Sequence, residues 1–336
     1  MTTAEAAEAV RRCGGWFRLV ERGVLAVSGA DRRRWLNGML TNDVARLHPG
    51  ASASGCYALL LTSQGRIVAD LHVLAVGEEF WLECERRFIP KVKAQLARYI
   101  VADAVELADR SAELLRYAVE GARAPELLRA LNPAAPELAA DACASFEVAT
   151  VPYVVAAFGF SGAPAFQFFV PAEHAVSFEL EISRAAGTLQ FLRARPEALE
   201  ILRIESGSPR LGYELGEEVL PPEAHLERAL STTKGCYTGQ EVVARLASRG
   251  QVKHELVGLQ FPSGELPDLP CSLEVEGRRV GELTSATHSL RLGAIALAFV
   301  RREFAQPGSM LTAGGRAAVV RALPQTASAP MSSAVL

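Results

Sequence analysis

Residues Lys234 to Arg245 read K-G-C-Y-T-G-Q-E-V-V-A-R, and this dodecapeptide gathers a cation, two glycines, a thiol, a phenol, a hydroxyl, an amide and a carboxylate. No other segment of the chain is so dense in reactive side chains. Gly235 and Gly239 bracket Cys236; glycine admits positive φ and close backbone approach, so the pattern predicts a shaped turn. From Glu241 the run E-V-V-A-R-L-A predicts a short helix, with Thr238 as N-cap and Gln240 and Glu241 in its first turn. A thiol ahead of a helix start and near Lys234 is placed where its thiolate is favoured. The competing reading is a small hydrophobe filling a tight turn, the commonest fate of an unpaired cysteine.

Just upstream, Leu199 to Ala224 predicts a helix ending at Gly207 and then an irregular loop carrying several carboxylates. Downstream the pattern becomes all-β. Runs at 255–261, 273–275, 279–286, 294–300 and 317–321 are separated by Gly- and Pro-rich turns, which suits a small barrel or sandwich. Toward the N-terminus, 16–27 alternates like strands, and 31–43 places Trp35, Leu36 and Met39 on one helical face. The runs 56–62 and 67–76 flank Ser63-Gln64-Gly65-Arg66 as a hairpin, followed by a strand at 80–85 and a helix at 89–99. Asp70 on that hairpin has a plain alternative as a polar residue on its exposed side. Further on come a strand at 113–120, a helix at 126–131, a surface connection at 132–145, strands at 148–158 and 166–170, and a helix at 172–186. Strands and helices in this order predict an α+β fold with antiparallel sheets.

Composition bounds the function. The chain has 336 residues, 49% hydrophobic and 22% charged, which describes a globular protein large enough for several cores. A net charge of -3 argues against a nucleic-acid-binding surface. The six cysteines are widely spread with no C-x-x-C pair, as expected of reduced thiols, and they supply no evident metal or cluster cage. The N-terminus lacks the apolar core of a signal peptide and no apolar run is long enough to span a bilayer, so a cytoplasmic location is expected. Dinucleotide, P-loop, zinc-protease and serine-hydrolase motifs are absent from the sequence.

The dodecapeptide resembles the signature of the YgfZ family of folate-binding proteins, which includes a mitochondrial iron-sulfur assembly factor and is similar to the T-protein (aminomethyltransferase) of the glycine cleavage system. Other blocks carry the same resemblance: Leu40-Thr41-Asn42-Asp43, the hairpin L-T-S-Q-G-R-I-V-A-D-L, the R-I-E-x-G-x-P block at Arg203 to Pro209, and G-R-R-V-G-E-L-T-S-A at Gly277 to Ala286. T-protein has an acidic residue where this chain has Cys236, and an acidic pair where it has Ala69 and Asp70.

The resemblance implies a three-lobed fold. Two α+β lobes with antiparallel sheets, at 1–110 and 111–249, exchange chain segments; the second carries the signature, and a β-barrel follows at 250–323, while the Ala, Ser and Pro content of 324–336 by itself predicts a disordered tail. The lobes surround a central tetrahydrofolate cavity faced by Asp70 and Glu205, with Tyr237, Gln240 and Arg245 shaping the site. Glu205 would bind the pterin, since a carboxylate accepts two N–H donors side by side; the alternative is an ion pair with Arg203 or Arg210. Cys236, positioned by its glycines and favoured by Lys234, would be a functional thiol. The implied function is a tetrahydrofolate-binding accessory protein for assembly or repair of iron-sulfur enzymes, including the one that thiomethylates tRNA. The alternative is a folate-dependent aminomethyltransferase or demethylase. The implied partners are tetrahydrofolate and iron-sulfur enzymes or their assembly proteins, with no metal of its own.

Overall fold

The computed structural model describes residues 1–51 and 54–325, with side chains at 247–249 left aside. Two antiparallel sheets and a closed barrel meet at one centre. The five-stranded sheet is built from Gly55–Leu61, Ile67–Val76, Glu79–Glu85, Arg22–Ser28 and Glu106–Asp109, in that spatial order. The hairpin at its heart turns where Ser63 to Arg66 predicts, with Gly65 at φ 74. One face of the sheet buries Ile67, Ala69, Leu71 and Val73 with Leu25, Val27 and the helix residues Trp35 and Leu36. The other face turns toward the second sheet and is unusually polar.

The six-stranded sheet runs Leu192–Arg193, Gly15–Arg18, Leu114–Glu120, Ala165–Pro171, Val151–Ala156 and Cys143–Val148. Helices Ala124–Leu131 and Ala175–Leu189 cover it through an aromatic cluster of Tyr117, Tyr153, Phe168 and Phe178. Gly15–Arg18 belongs to this second sheet although it precedes the first sheet in the chain, so the two lobes exchange segments. The exchange reaches the signature as well. Leu211, Leu215, Ala229, Tyr237 and Val243 pack into the core of the first sheet, although in chain order this stretch follows the strands of the second.

Two local departures have physical causes. Where the sequence predicts a connection at 132–145 and a strand at 148–158, the chain forms a hairpin of Cys143–Val148 and Val151–Ala156. Its two turn residues, Ala149 at φ 46 and Thr150 at φ 68, lack the Asn or Gly that marks such turns. The barrel is closed by six strands, including Met310–Ala313, too short to stand out in the sequence. Of the tail expected from 324, Gln325 is held: it is buried, and its amide donates to Ile204 O at 3.0 Å and Ala296 O at 3.2 Å. Residues 326–336 lie outside the described residues.

Candidate functional site

A cavity of about 480 Å³ lies where the two sheets and the barrel converge, within the range of small-molecule sites. The first sheet contributes Arg22, Tyr57, Asp70, His72 and Glu85; the second lobe contributes Phe160, Glu200 and Arg203. The loop 207–211, the segment 224–228 and the barrel edge at Glu255 and Arg321 complete the wall.

Strand alternation decides which side chains enter. Asp70 and His72 share the face opposite Ala69 and Leu71, because neighbouring residues of a strand point to opposite sides. Asp70 is 9% exposed, so it lines the cavity rather than the outside of the hairpin. Tyr57 Oη donates to Asp70 Oδ2 at 3.0 Å. Burial pushes the Asp70 carboxyl up; Arg22, His72 and the Tyr57 hydrogen bond pull it back without cancelling the rise. A buried carboxyl with a raised pKa is suited to general acid–base work. Ala69, by contrast, is fully buried in the apolar core beneath the sheet. A carboxylate at 69 would point away from the cavity, so alanine there removes nothing from its wall.

The cavity floor is a chain of buried ion pairs. Arg22 grips Glu83 with two bonds of 2.7 Å and reaches Glu85 at 3.1 Å. Glu83 is also 2.8 Å from Arg116 Nη1, close enough for an ion pair although its angle makes no hydrogen bond. Burial pushes Glu83 up, but Arg22 and Arg116 outweigh it and hold its pKa at about 2. From Glu85 the chain continues through Arg210 to Glu200, Arg203 and Glu214, and ends on the barrel at Ser285. Every lobe is therefore tied to the floor, and breaking a buried pair by removing one partner costs about 3–5 kcal/mol.

Glu205 stands elsewhere. It is 4% exposed and accepts from Arg11 and from Ser289 Oγ, the latter at 2.6 Å, with Arg291 at 3.8 Å. Its helix, Pro196–Ser206, turns this side chain away from the cavity, so its bonds join the N-terminal helix Thr3–Arg12 to the barrel. Neither the pterin contact nor a pair with Arg203 or Arg210 describes it.

The signature is also outside the cavity wall. The Nζ of Lys234 donates to three carbonyls, Asn37 in helix Arg32–Met39, and Leu40 at 2.6 Å and Asn42 at 3.0 Å in the L-T-N-D loop after it. Burial pulls its pKa down to about 8, with Asp43 opposing. The cation is thus occupied by carbonyls, and no bond joins it to Cys236. The thiol is exposed. Tyr237 is buried in the first core, and its backbone N–H donates to Gln240 Oε1 at 3.2 Å. The N-cap of helix Gln240–Arg249 is Gly239, not Thr238, and no side chain caps it. Gly239 is required by geometry: φ is 83, and a Cβ would come within 2.6 Å of Thr62 O on the hairpin. Gly235 meets nothing within 4 Å. Arg245 pairs with Glu241 at 2.8 Å on the exposed side of the helix. Among the described residues no three His, Cys, Asp or Glu side chains converge as metal ligands, and no helix is long and apolar enough to cross a membrane.

Sheets, barrel and a charged central cavity define a class: folds of the T-protein kind. The GCVT N-terminal domain family matches residues 1–234 and the glycine cleavage T-protein C-terminal barrel domain family matches 254–326. The chain is 32% identical over 308 residues to an aminomethyltransferase of Geobacillus kaustophilus, covering 90% of this chain and 83% of that protein. It is 27% identical over 310 residues to one of Caldanaerobacter subterraneus, covering 90% of this chain and 81% of that protein. The crystal structure of glycine cleavage system aminomethyltransferase T from Bartonella henselae superposes with a TM-score of 0.84 at 21% identity, covering 96% of this chain and 89% of that one. The protein belongs to the GCVT aminomethyltransferase family.

Proposed function

We propose that the protein binds tetrahydrofolate in the central cavity and transfers a one-carbon unit to or from it, as an aminomethyltransferase or demethylase. The observation that carries this reading is Asp70, a buried carboxyl with a raised pKa facing a cavity of suitable volume. The donor set fits the group. A pterin edge presents N–H donors that carboxylates accept, and Asp70 and Glu21 line the wall without an ion pair of their own among the described residues. Arg228 at the wall, 61% exposed and 4.2 Å from the Tyr57 ring centroid, suits the acidic tail. When bound, the folate supplies the amine nitrogens that carry the one-carbon unit. Asp70 then holds or moves a proton at its carboxyl, Tyr57 orients that carboxyl, and the buried ion pairs keep the floor rigid. Relatives named aminomethyltransferase, matched over most of their length, support the same reading.

Incubation with tetrahydrofolate and aminomethyl or methylamine donors should yield methylene-tetrahydrofolate; wild-type protein that binds the folate and forms none with any such donor would refute the transferase step.

A second reading has its own support: a folate-binding accessory role, of the YgfZ kind, toward iron-sulfur enzymes and their assembly proteins. The exposed Cys236 on a turn anchored by Gly239 favours it, because a thiol outside the cavity is open to a protein partner. Loss of cluster-enzyme activity in a deletion strain, restored by wild type but not by Cys236→Ala, is its expected result; full rescue by the variant removes the thiol from the function.

A further inference from the structure

The cavity holds a second acid–base group that neither the signature nor the folate reading uses. His72 is 4% exposed and lies two residues from Asp70 on the same face of Ile67–Val76. Its Nδ1 is 3.1 Å from Asp141 Oδ1. The ring is clamped on two sides: Phe158 stacks at 3.6 Å and 9°, and Tyr57 tilts against it at 4.9 Å. Asp141 is held at a positive φ of 62, a conformation that side-chain-bearing residues seldom adopt. Burial pushes the Asp141 carboxyl up, but the His72 hydrogen bond and the charges of His72 and Arg228 more than offset it and hold it below its usual range. An ionised carboxylate only accepts, so Nδ1 carries a hydrogen, and whenever the ring is neutral Nε2 is the atom that presents a lone pair. Among the described residues Nε2 has no hydrogen-bond partner, yet it is not one of the orphaned buried polar atoms; it opens on the cavity that His72 lines.

We infer that His72, oriented by Asp141, is a proton-exchanging residue of the cavity, accepting at Nε2 a proton from an N–H group of a bound ligand and returning it to solvent. The N–H bond of the ligand breaks, the N–H bond at Nε2 forms, and the imidazolium charge is shared with the Asp141 carboxylate; no redox partner is needed. This places His72 and Asp70 as two separate proton carriers on one wall. The groups facing the ring are Asp70 on its own strand, Glu83 and Tyr57 on the adjacent strands, Arg22 beyond Glu83, and Asp141 with Arg228 on the outer side. Phe158 brings no charge from the second sheet. The identity of the ligand rests on the folate reading; the dyad itself does not.

The test is calorimetric titration with tetrahydrofolate in two buffers of different ionisation enthalpy, on wild type and His72→Gln, beside an NMR pH titration of the His72 ring in wild type and Asp141→Asn. The wild type should bind with net proton exchange, and the binding that remains in His72→Gln should proceed without that exchange. Binding without proton exchange in the wild type, or exchange that survives in His72→Gln, overturns the inference and leaves the folate reading standing. If the wild type does not bind tetrahydrofolate, the folate reading fails and the NMR arm decides. A ring that titrates, with a midpoint moved by Asp141→Asn, upholds the dyad. A ring fixed in one protonation state from about pH 5 to 8, where imidazoles ordinarily change charge, overturns it.

Discussion

The signature turn and the central cavity teach opposite lessons about where chemistry sits. The turn concentrates reactive residue types in twelve consecutive positions, yet most of them act as structure. Lys234 holds three carbonyls, Tyr237 fills the core, Gln240 accepts from the turn backbone and Gly239 fits against the hairpin. The cavity draws its groups from segments scattered over the chain, none of which is conspicuous alone. Tyr57, Asp70, His72 and Arg228 come together only because a strand alternates and a later segment folds back over it. Density of functional groups along a sequence therefore marks a locally demanding backbone here, whereas the buried titratable cluster marks the candidate site.

The sharpest way to break this comparison is Asp70→Asn. One-carbon transfer should fall by about 10²–10⁴-fold, the usual contribution of a proton-transferring side chain. The same variant should gain stability at neutral pH. The folded carboxyl has its pKa raised by burial, so its stabilising contribution is complete below the unfolded carboxylate range and is lost as pH rises through the folded pKa. The variant's advantage in Tm should accordingly be present at pH 7 and vanish in acid; a neutral-pH loss of Tm would contradict the assignment of Asp70 as a strained functional group.

On the turn, stability effects should dominate. Removing the Lys234 ammonium by Lys234→Met leaves buried carbonyls short of donors, at about 1–3 kcal/mol by denaturant unfolding. The rate of Cys236 alkylation at a fixed pH should not change, because the cation is bonded to carbonyls and not to the thiol; slower alkylation would revive the expectation that Lys234 activates it. Smaller again, Gly239→Ala should cost about 1–2 kcal/mol for the left-handed backbone, plus whatever the clash with Thr62 adds. Gly235→Ala should stay within about 0.5 kcal/mol, since open space surrounds it. Equal costs at the two glycines would show that the turn is not seated on the hairpin as described.

Much of the architecture was legible because it is local. Glycine caps and turns placed the end of helix Pro196–Ser206 at Gly207 and the hairpin turn at Gly65, and alternating runs announced five of the six barrel strands. The hairpin at Ala149-Thr150 was not legible, since its positive-φ residues are ones that sequence rules exclude. Nor were the partners of the buried charges. Glu205 pairs with Arg11 across 194 positions, and Arg22 with Glu83 across 61, so no spacing rule links them. The same holds for His72: a lone histidine in an apolar strand gains meaning only when Asp141 is brought beside it.

The central claim is that ligand chemistry belongs to the cavity and not to the signature thiol. Calorimetric titration with tetrahydrofolate of wild type, Asp70→Ala and Cys236→Ala tests it most directly. Wild type and Cys236→Ala should bind alike, and Asp70→Ala should bind at least about tenfold more weakly, a loss of ~1.4 kcal/mol. Undiminished binding by Asp70→Ala together with weakened binding by Cys236→Ala would contradict it.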